Sequence, residues 1–181
     1  MEREFRLATQ ATHLLNTIVS KMIVEVRCIA PYIQSAVPQP GVLCQAVVLQ
    51  TENGVFVIQH ACEDFGDIEV VWLSVVPLNE AGWANDKTRG SVNFSSNMLG
   101  SLKGWRAIEE TITFERKAAE PLKAQVVSGL LFQLDDNKRL LVMTAPLPFF
   151  ITCFIDTNEI DDALASINLK RIKRINGVRL D

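Results

Sequence analysis

Apolar residues recur along this chain at two spacings, and the spacing distinguishes helices from strands. Over about Glu4–Met22 they follow the helical period, with Leu7, Leu14 and Ile18 on one stripe, and they predict an amphipathic helix. Ile23–Ala30 then alternates between apolar and polar positions, which predicts a strand.

The clearest local signal is a hairpin. Val42–Gln50 and Val55–Cys62 have strand character, and Glu52-Asn53-Gly54 lies between them. Asn-Gly supplies the positive φ angles of a type I′ turn, which joins antiparallel strands. Glu63–Asp67 predicts a second turn, and Ile68–Val76 predicts a third strand. The third strand is nearly continuously apolar, so we expect both of its faces to be buried.

The second half of the chain has the same order of elements. Val127–Leu134 predicts a strand, Asp135–Lys138 a turn, Arg139–Thr144 the returning strand and Phe149–Ile155 an apolar third strand. Between the halves, residues 79–104 are rich in Gly, Ser and Asn and predict loops, with a short helix around Ser96–Leu102 as an option. A strand is expected over residues 108–115, with a helix as the alternative.

An alignment without gaps sets Cys44–Gly54 beside Val127–Asn137. Gln50 then meets Gln133, and apolar residues meet apolar residues at the strand centres. Two explanations stay open, because the identities are few: an internal duplication of a strand-hairpin-strand unit, or the general likeness of any two β-meanders.

The C-terminal segment predicts a second helix. Asp156 followed by Glu159 is a capping-box pattern, and Ile160, Leu164 and Ile167 form a helical stripe behind it. The predicted fold class is therefore α+β: β-rich meanders with N-terminal and C-terminal helices packed on the sheets. We predict one globular domain over residues 1–181, with two similar lobes at about 1–80 and 81–181.

Composition supports a folded domain. Of 181 residues, 48% are hydrophobic and 22% charged, which are ordinary fractions for a globular protein. The net charge of −3 argues against broad electrostatic capture of nucleic acid or anionic membrane. The charge-poor stretches Cys28–Thr51 and Leu140–Ile155 are interrupted by prolines, so we expect no membrane spans. No signal peptide is visible at the N-terminus, so we expect a cytoplasmic protein.

Cysteine usage agrees with a reducing compartment. None of the cysteines forms a CxxC pair, and each has apolar neighbours, so we predict that all are reduced, small buried residues. They are Cys28, Cys44, Cys62 and Cys153.

The candidate catalytic residues cluster at the end of the predicted hairpin. They are His60, Cys62, Glu63 and Asp64. If Asn53-Gly54 are the turn residues, Gln45 lies opposite Cys62 and Cys44 points to the other face, so a catalytic pair or metal site would need ligands from elsewhere. The alternative is structural: a histidine at the edge of the core, and carboxylates that belong to a turn.

Two further groups are candidate binding residues. Trp83 and Trp105 flank the Gly/Ser/Asn-rich segment and either anchor it or belong to a binding surface. The basic residues beyond the C-terminal helix stripe either complement the helix dipole or form a patch for nucleic acid or an acidic protein. They are Lys170, Arg171, Lys173 and Arg174.

No nucleotide-binding, nucleophile-elbow or zinc-protease motif occurs in the sequence, and no cofactor or metal is predicted. The order of strand, acidic turn, strand, proline-containing break, apolar strand and capped helix is similar to that of small bacterial proteins, including some toxin-neutralising immunity proteins. We therefore predict a non-enzymatic protein-binding module of bacterial type, an immunity or inhibitor-like protein or an assembly factor, whose partner is another protein or a second copy of the chain. Two alternatives stay open: a small-ligand binder or enzyme with its site near His60 and Cys62, and a nucleic-acid binder that uses the basic C-terminal segment.

Overall fold

The protein is mostly β-structure, arranged in two sheets with two helices in the part of the chain that is described. The computed structural model describes residues 2–31, 41–66, 68–81, 89–95, 99–114, 120–145, 150–155 and 157–166, and the backbone of 172–177. The strands are β1 (Glu2–Phe5), β2 (Ile23–Ile29), β3 (Val42–Cys44), β4 (Ala46–Thr51), β5 (Gly54–Phe65), β6 (Ile68–Pro77), β7 (Ser91–Ser95), β8 (Leu102–Phe114), β9 (Leu122–Leu134), β10 (Arg139–Thr144), β11 (Ile151–Phe154) and β12 (Ile172–Gly177). The helices are α1 (Thr9–Thr17) and α2 (Thr157–Ser166).

The two sheets have the same strand order. The five-stranded sheet runs β7-β2-β4-β5-β6, and the seven-stranded sheet contains β12-β8-β9-β10-β11. In each, four antiparallel strands form a meander, and a fifth strand returns to pair antiparallel with the first. The four strands follow one another directly in the seven-stranded sheet, whereas β3 lies between β2 and β4 in the chain. The seven-stranded sheet is completed by two strands from the first half of the chain, because β3 pairs with β11 and β1 pairs in parallel with β9.

The main core lies where the sheets face each other. The five-stranded sheet contributes Val47, Leu49 and Ile58, and the seven-stranded sheet contributes Leu130 and Phe132, all fully buried. Helix α1 adds the fully buried Leu15 to the same core, and Ile18, directly after the helix, is fully buried there as well. On the other face of the seven-stranded sheet, Ile160 of α2 packs against side chains that include Leu141 and Phe154. Burial of this apolar surface is the main force that holds the layers together.

The N-terminal helix is shorter than the predicted Glu4–Met22. Glu2–Phe5 forms β1, in which Phe5 lies opposite Val126 of β9, and the helix begins only at Thr9. It ends at Thr17, and Ser20 then adopts a φ of 67° and donates its backbone N–H to Leu102 at 2.6 Å. Hydrogen bonding to neighbouring strands therefore replaces the helix at both ends of the amphipathic segment.

The β4–β5 turn differs from the predicted type I′ turn at Asn53-Gly54. Thr51 pairs with Gly54, so the turn residues are Glu52 and Asn53, and neither has a positive φ. The hydroxyl of Thr51 shapes the turn, because it donates to the Gly54 carbonyl at 3.1 Å and accepts the Asn53 N–H at 3.3 Å. The register that placed Gln45 opposite Cys62 is therefore wrong.

The predicted strand Val42–Gln50 is divided between the two sheets. Val42–Cys44 pairs with β11 of one sheet, and Ala46–Thr51 belongs to the other. Gly41 precedes β3 with a φ of 72°, a conformation that glycine adopts readily, and its N–H donates to the Glu159 carboxylate of α2 at 3.1 Å. The N-terminal partner in the predicted capping box, Asp156, lies outside the described residues.

Two other predicted segments are corrected. The turn at Glu63–Asp67 is tighter than predicted, because β5 continues to Phe65 and Gly66 turns with a φ of 70°. Within the loop region predicted for residues 79–104, Ser91–Ser95 forms β7 at the edge of a sheet. Of the optional helix at Ser96–Leu102, residues 96–98 lie outside the described part and Leu102 begins β8. None of the described helices has the length and apolar character needed to cross a membrane.

Candidate functional site

A cavity of about 210 Å³ opens between the segment that leads into α1 and strand β6, and we call it the β6 groove. It is lined by Arg6, Ala8, Gln10, Ala11, Ala61, Trp72, Ser74, Val75, Val76, Pro77 and Glu80. Most of these side chains are apolar or small. The groove is therefore suited to an apolar group.

The walls of the groove are fixed by pairing on both sides. Strand β1 pairs in parallel with β9. This pairing places the residues directly after β1, Arg6 to Ala8, next to β6. The Trp72 ring packs against Phe5, with ring centroids 4.9 Å apart. Trp72 also lies directly opposite Ala61 in the β5–β6 ladder, so the small alanine leaves room beside the indole.

Both kinds of charge occur at the rim. Arg6 forms an ion pair with Glu4 at 2.8 Å, and both side chains are about half exposed. Glu80 is exposed on the short 3₁₀ helix Leu78–Glu80 that follows β6. Because Glu4 offsets the charge of Arg6, the carboxylate of Glu80 gives the rim a negative balance.

His60 lies on β5, half-buried, with Leu73 of β6 as its ladder partner. Burial lowers the pKa of its imidazole, and a hydrogen bond to the main chain of Phe150 opposes that effect only in part. His60 is therefore held against the β10–β11 connection and is neutral at physiological pH.

Cys62 and Asp64 share a face of β5 with His60, and Glu69 lies opposite Asp64. Although Cys62 is exposed and not buried as predicted, partial desolvation, a hydrogen bond to Glu69 and the negative charges of Glu69 and Asp64 raise the pKa of its thiol. A raised pKa keeps the thiol protonated, which weakens it as a nucleophile. Glu63, on the other face, pairs with Arg3 of β1 at 2.6 Å.

The structure thus places three of the four candidate catalytic residues, His60, Cys62 and Asp64, on one face of β5. The β6 groove includes Ala61 and not the candidates themselves. In the residues that the structure describes, no three His, Cys, Asp or Glu side chains assemble as a metal-binding group. A catalytic role for His60 and Cys62 stays a prediction.

Trp105 is part of the core. The residue is 5% exposed, and its indole N–H donates to Asn16 of α1 at 3.0 Å. This contact is what the anchor role requires, and a role of Trp105 in binding stays a prediction. Trp83 lies outside the described residues.

The basic C-terminal segment is a strand where it is described. Lys173 and Arg174 belong to β12 and lie at a shift in register between Ile172 and Ile175, which is an irregularity typical of a β-bulge. β12 is the edge strand of its sheet. Basic residues and bulges on edge strands prevent unwanted pairing with other chains, which is a structural reason for this composition. Lys170 and Arg171 lie outside the described residues, and the nucleic-acid alternative stays a prediction.

The sequence does not indicate the groove. Arg6 lies within the segment predicted as a helix, and Trp72 lies within the strand Ile68–Val76, whose faces were both expected to be buried. No local pattern indicates the cavity, because its two walls come from residues 6–11 and 72–80, which meet only after β1 pairs with β9.

Comparison with known proteins gives no relative from which a function could be transferred. No protein-family model matches the chain, and searches of curated proteins and of solved structures find no match.

Proposed function

We propose that this chain is a non-enzymatic protein-binding module of bacterial type, an immunity-like inhibitor or an assembly factor, and that the β6 groove accepts one apolar side chain of its partner. The observation that carries the proposal is the size and lining of the groove. Its volume of about 210 Å³ is below the roughly 300–1,000 Å³ that is usual for small-molecule pockets. A small, mostly apolar cavity beside an aromatic ring suits the anchor residue of a protein interface.

The partner that fits this surface carries an apolar side chain within a segment of net positive charge. Glu80 lies at the groove, and the net charge of the whole chain is −3. Opposite charges at an interface speed association and exclude wrong partners. An extended basic segment with one exposed Leu, Met or aromatic residue would satisfy both features.

The test is a tagged pull-down from the native host with nuclease present, read by mass spectrometry, with a matched pair of variants. Ala8→Trp puts a large side chain into the groove from an exposed position. Ala165→Trp makes the same change at an exposed position on α2, outside the groove. We expect the wild type and Ala165→Trp to recover the same protein in stoichiometric amounts, and Ala8→Trp to lose it.

Equal recovery by Ala8→Trp would show that the partner binds elsewhere, and recovery of nothing stoichiometric at physiological salt would contradict the binding-module proposal. If the recovered material disappears with nuclease, the nucleic-acid alternative gains support. In that case, Lys173→Glu with Arg174→Glu should abolish recovery.

We also propose that the two meanders arose by internal duplication. In the alignment of Cys44–Gly54 with Val127–Asn137, equivalent residues pair in the same register, because Val47 faces Ile58 and Leu130 faces Val142. They also lie in equivalent layers: Leu49 and Phe132 belong to the main core, whereas Val48 and Leu131 belong to clusters on the other faces. The repeated units are then residues 23–95 and 102–177, so the boundary falls after β7 and not near residue 80.

A cytoplasmic location is part of the proposal. Three of the four thiols lie together in the core as free cysteines, an arrangement suited to a compartment that keeps thiols reduced.

A further inference from the structure

In the part of the chain that is described, the strand orders of the two sheets end at β6, β7, β12 and β3, and all of these end strands except β7 carry protection against pairing with another chain. Strand β12 has a shift in register and contains Lys173 and Arg174, β3 has only three residues, and β6 ends at Pro77 and lies beside α1. Proteins use such features to hinder edge-to-edge pairing. Strand β7 contains no proline or charged residue and pairs with β2 without a shift in register.

The main-chain groups on the free side of β7 follow from its pairing with β2. The Ala30 N–H donates to the Gly90 carbonyl at 2.8 Å, directly before β7, and the ladder then continues without a shift to Val26 and Phe94. Hydrogen-bonded and non-bonded pairs alternate along an antiparallel ladder, so Val92 and Phe94 bond to β2. The alternate residues direct their N–H and C=O groups away from β2, and they are Ser91, Asn93 and Ser95.

The two faces of β7 differ in polarity. Val92 and Phe94 lie on the same face as Val26 and Cys28 and pack against the main core, yet both stay partly exposed. Asn93 lies on the other face and is exposed. A further strand beside β7 would therefore cover the remaining surface of two apolar side chains and would bond to the outward main-chain groups.

The sequence of β7 is suited to pairing with itself. Ser91-Val92-Asn93-Phe94-Ser95 has the same order of polar and apolar residues in both directions, with Asn93 at its centre. In an antiparallel pair of copies related by a two-fold axis at Asn93, Val92 faces Phe94, Ser91 faces Ser95, and Asn93 faces its own copy. A β-branched residue opposite an aromatic one is a favourable cross-strand pair, and no like charges meet. This register also makes Asn93 and its copy a hydrogen-bonded pair, as the outward direction of its main chain requires.

We propose that β7 pairs antiparallel with β7 of a second copy of the chain, with the two-fold axis at Asn93. The resulting homodimer joins the two five-stranded sheets into one continuous sheet. The β6 groove lies at the opposite edge of the five-stranded sheet, so both grooves stay accessible in the dimer. The dimer does not rest on the function proposed for the groove.

The test measures the mass of the full chain in solution by sedimentation equilibrium, at concentrations into the millimolar range. We expect the wild type to be a dimer. Asn93→Lys and Asn93→Glu each place like charges opposite each other at the two-fold axis, so each variant alone should be monomeric. An equimolar mixture of the two variants should dimerise again, because position 93 then faces the opposite charge. Recovery in the mixture also shows that both variants fold.

Two controls separate the edge of β7 from the rest of the sheet. Asn93→Ala keeps the main-chain groups and should still dimerise. Gln50→Lys and Gln50→Glu make the same charge changes at an exposed position of β4 and should leave the dimer intact.

A wild type that stays monomeric at every concentration would overturn the proposal. A dimer that neither charge at position 93 disrupts would place the interface elsewhere, and disruption without recovery in the mixture would overturn the two-fold register. None of these results bears on the groove, because Ala8→Trp tests the opposite edge of the sheet.

Discussion

The indole N–H of Trp105 donates to Asn16 Oδ1 at 3.0 Å and thereby joins β8 to α1. Trp105 is buried but Asn16 is exposed, so water can take over part of the role of the amide when it is removed. We expect Asn16→Ala to lower the free energy of unfolding by about 0.5–1.5 kcal/mol, measured by urea denaturation, even though alanine has the higher helix propensity. Asn93→Ala, at an exposed position of β7, is the control and should change stability by less than about 0.5 kcal/mol. Equal stability of the two variants would mean that α1 is held by apolar packing alone.

The glycine before β3 is needed for two reasons. Gly41 has a φ of 72°, and a Cβ there would lie 2.8 Å from the Cys153 carbonyl oxygen and 2.8 Å from the Phe154 ring. We expect Gly41→Ala to cost about 2–4 kcal/mol in thermal or urea unfolding. Gly90→Ala is the matched control, because a Cβ at Gly90 meets nothing within 4 Å. A loss of less than about 1 kcal/mol at Gly41 would show that β3 shifts to accommodate the methyl group.

The buried pair Gln125 and Glu109 joins β9 to β8, with Nε2 donating to Oε2 at 3.2 Å. These side chains are 8% and 3% exposed, so a lost hydrogen bond to the carboxylate is not replaced by water. We expect Gln125→Leu to destabilise the protein by about 1–3 kcal/mol in urea. Gln50→Leu, at an exposed position of β4, should have little effect. If both variants are as stable as the wild type, the carboxylate is satisfied without the amide.

The turn between β9 and β10 carries a titratable contact with the start of β8. The ion pair with Lys103 at 2.7 Å and the Ser101 N–H at 2.9 Å lower the pKa of Asp135. The pKa of Asp135 is lower in the folded protein than in the unfolded chain, where it is about 3.9. The ionised carboxylate therefore stabilises the fold at a pH above about 3.9, and this stabilisation is lost as the pH falls through the pKa of the folded protein. Asp135→Asn should therefore unfold more easily than the wild type at pH 7, and the difference should vanish in acid.

The measurement is urea denaturation from pH 7 to about pH 2.5, with Asp136→Asn in the same turn as the control. High salt should reduce the difference at pH 7, because the carboxylate is exposed to solvent. A difference that persists unchanged in acid would contradict this origin.

The strands that could be predicted are those whose pattern is local. Ile23–Ile29 alternates along its own length, and Arg139–Thr144 follows a polar turn, so neither needs distant information. Phe5 was misassigned, because its place opposite Val126 depends on a strand more than a hundred residues away. The division at Gln45 was missed for the same reason: both flanking runs have strand character, and only tertiary pairing assigns them to different sheets.

Candidate sites were harder to predict than strands. Burial of Cys28, Cys44 and Cys153 followed from their apolar neighbours, yet their convergence depends on three strands that no spacing in the sequence relates. Trp105 illustrates the limit for a single residue, because an aromatic beside a polar segment is equally suited to a surface or a core until its partner Asn16 is known.

Strands β1 and β3 pair with strands of the seven-stranded sheet, and this pairing also determines how the molecule unfolds. Both strands come from the first half of the chain, yet their ladder partners, β9 and β11, belong to the second. Each half therefore lacks part of its structure without the other: a first half expressed alone would leave β1 and β3 without partners, and a second half would leave the edge of β11 uncovered. Despite its repeated architecture, the protein should behave as one cooperative unit with a single unfolding transition.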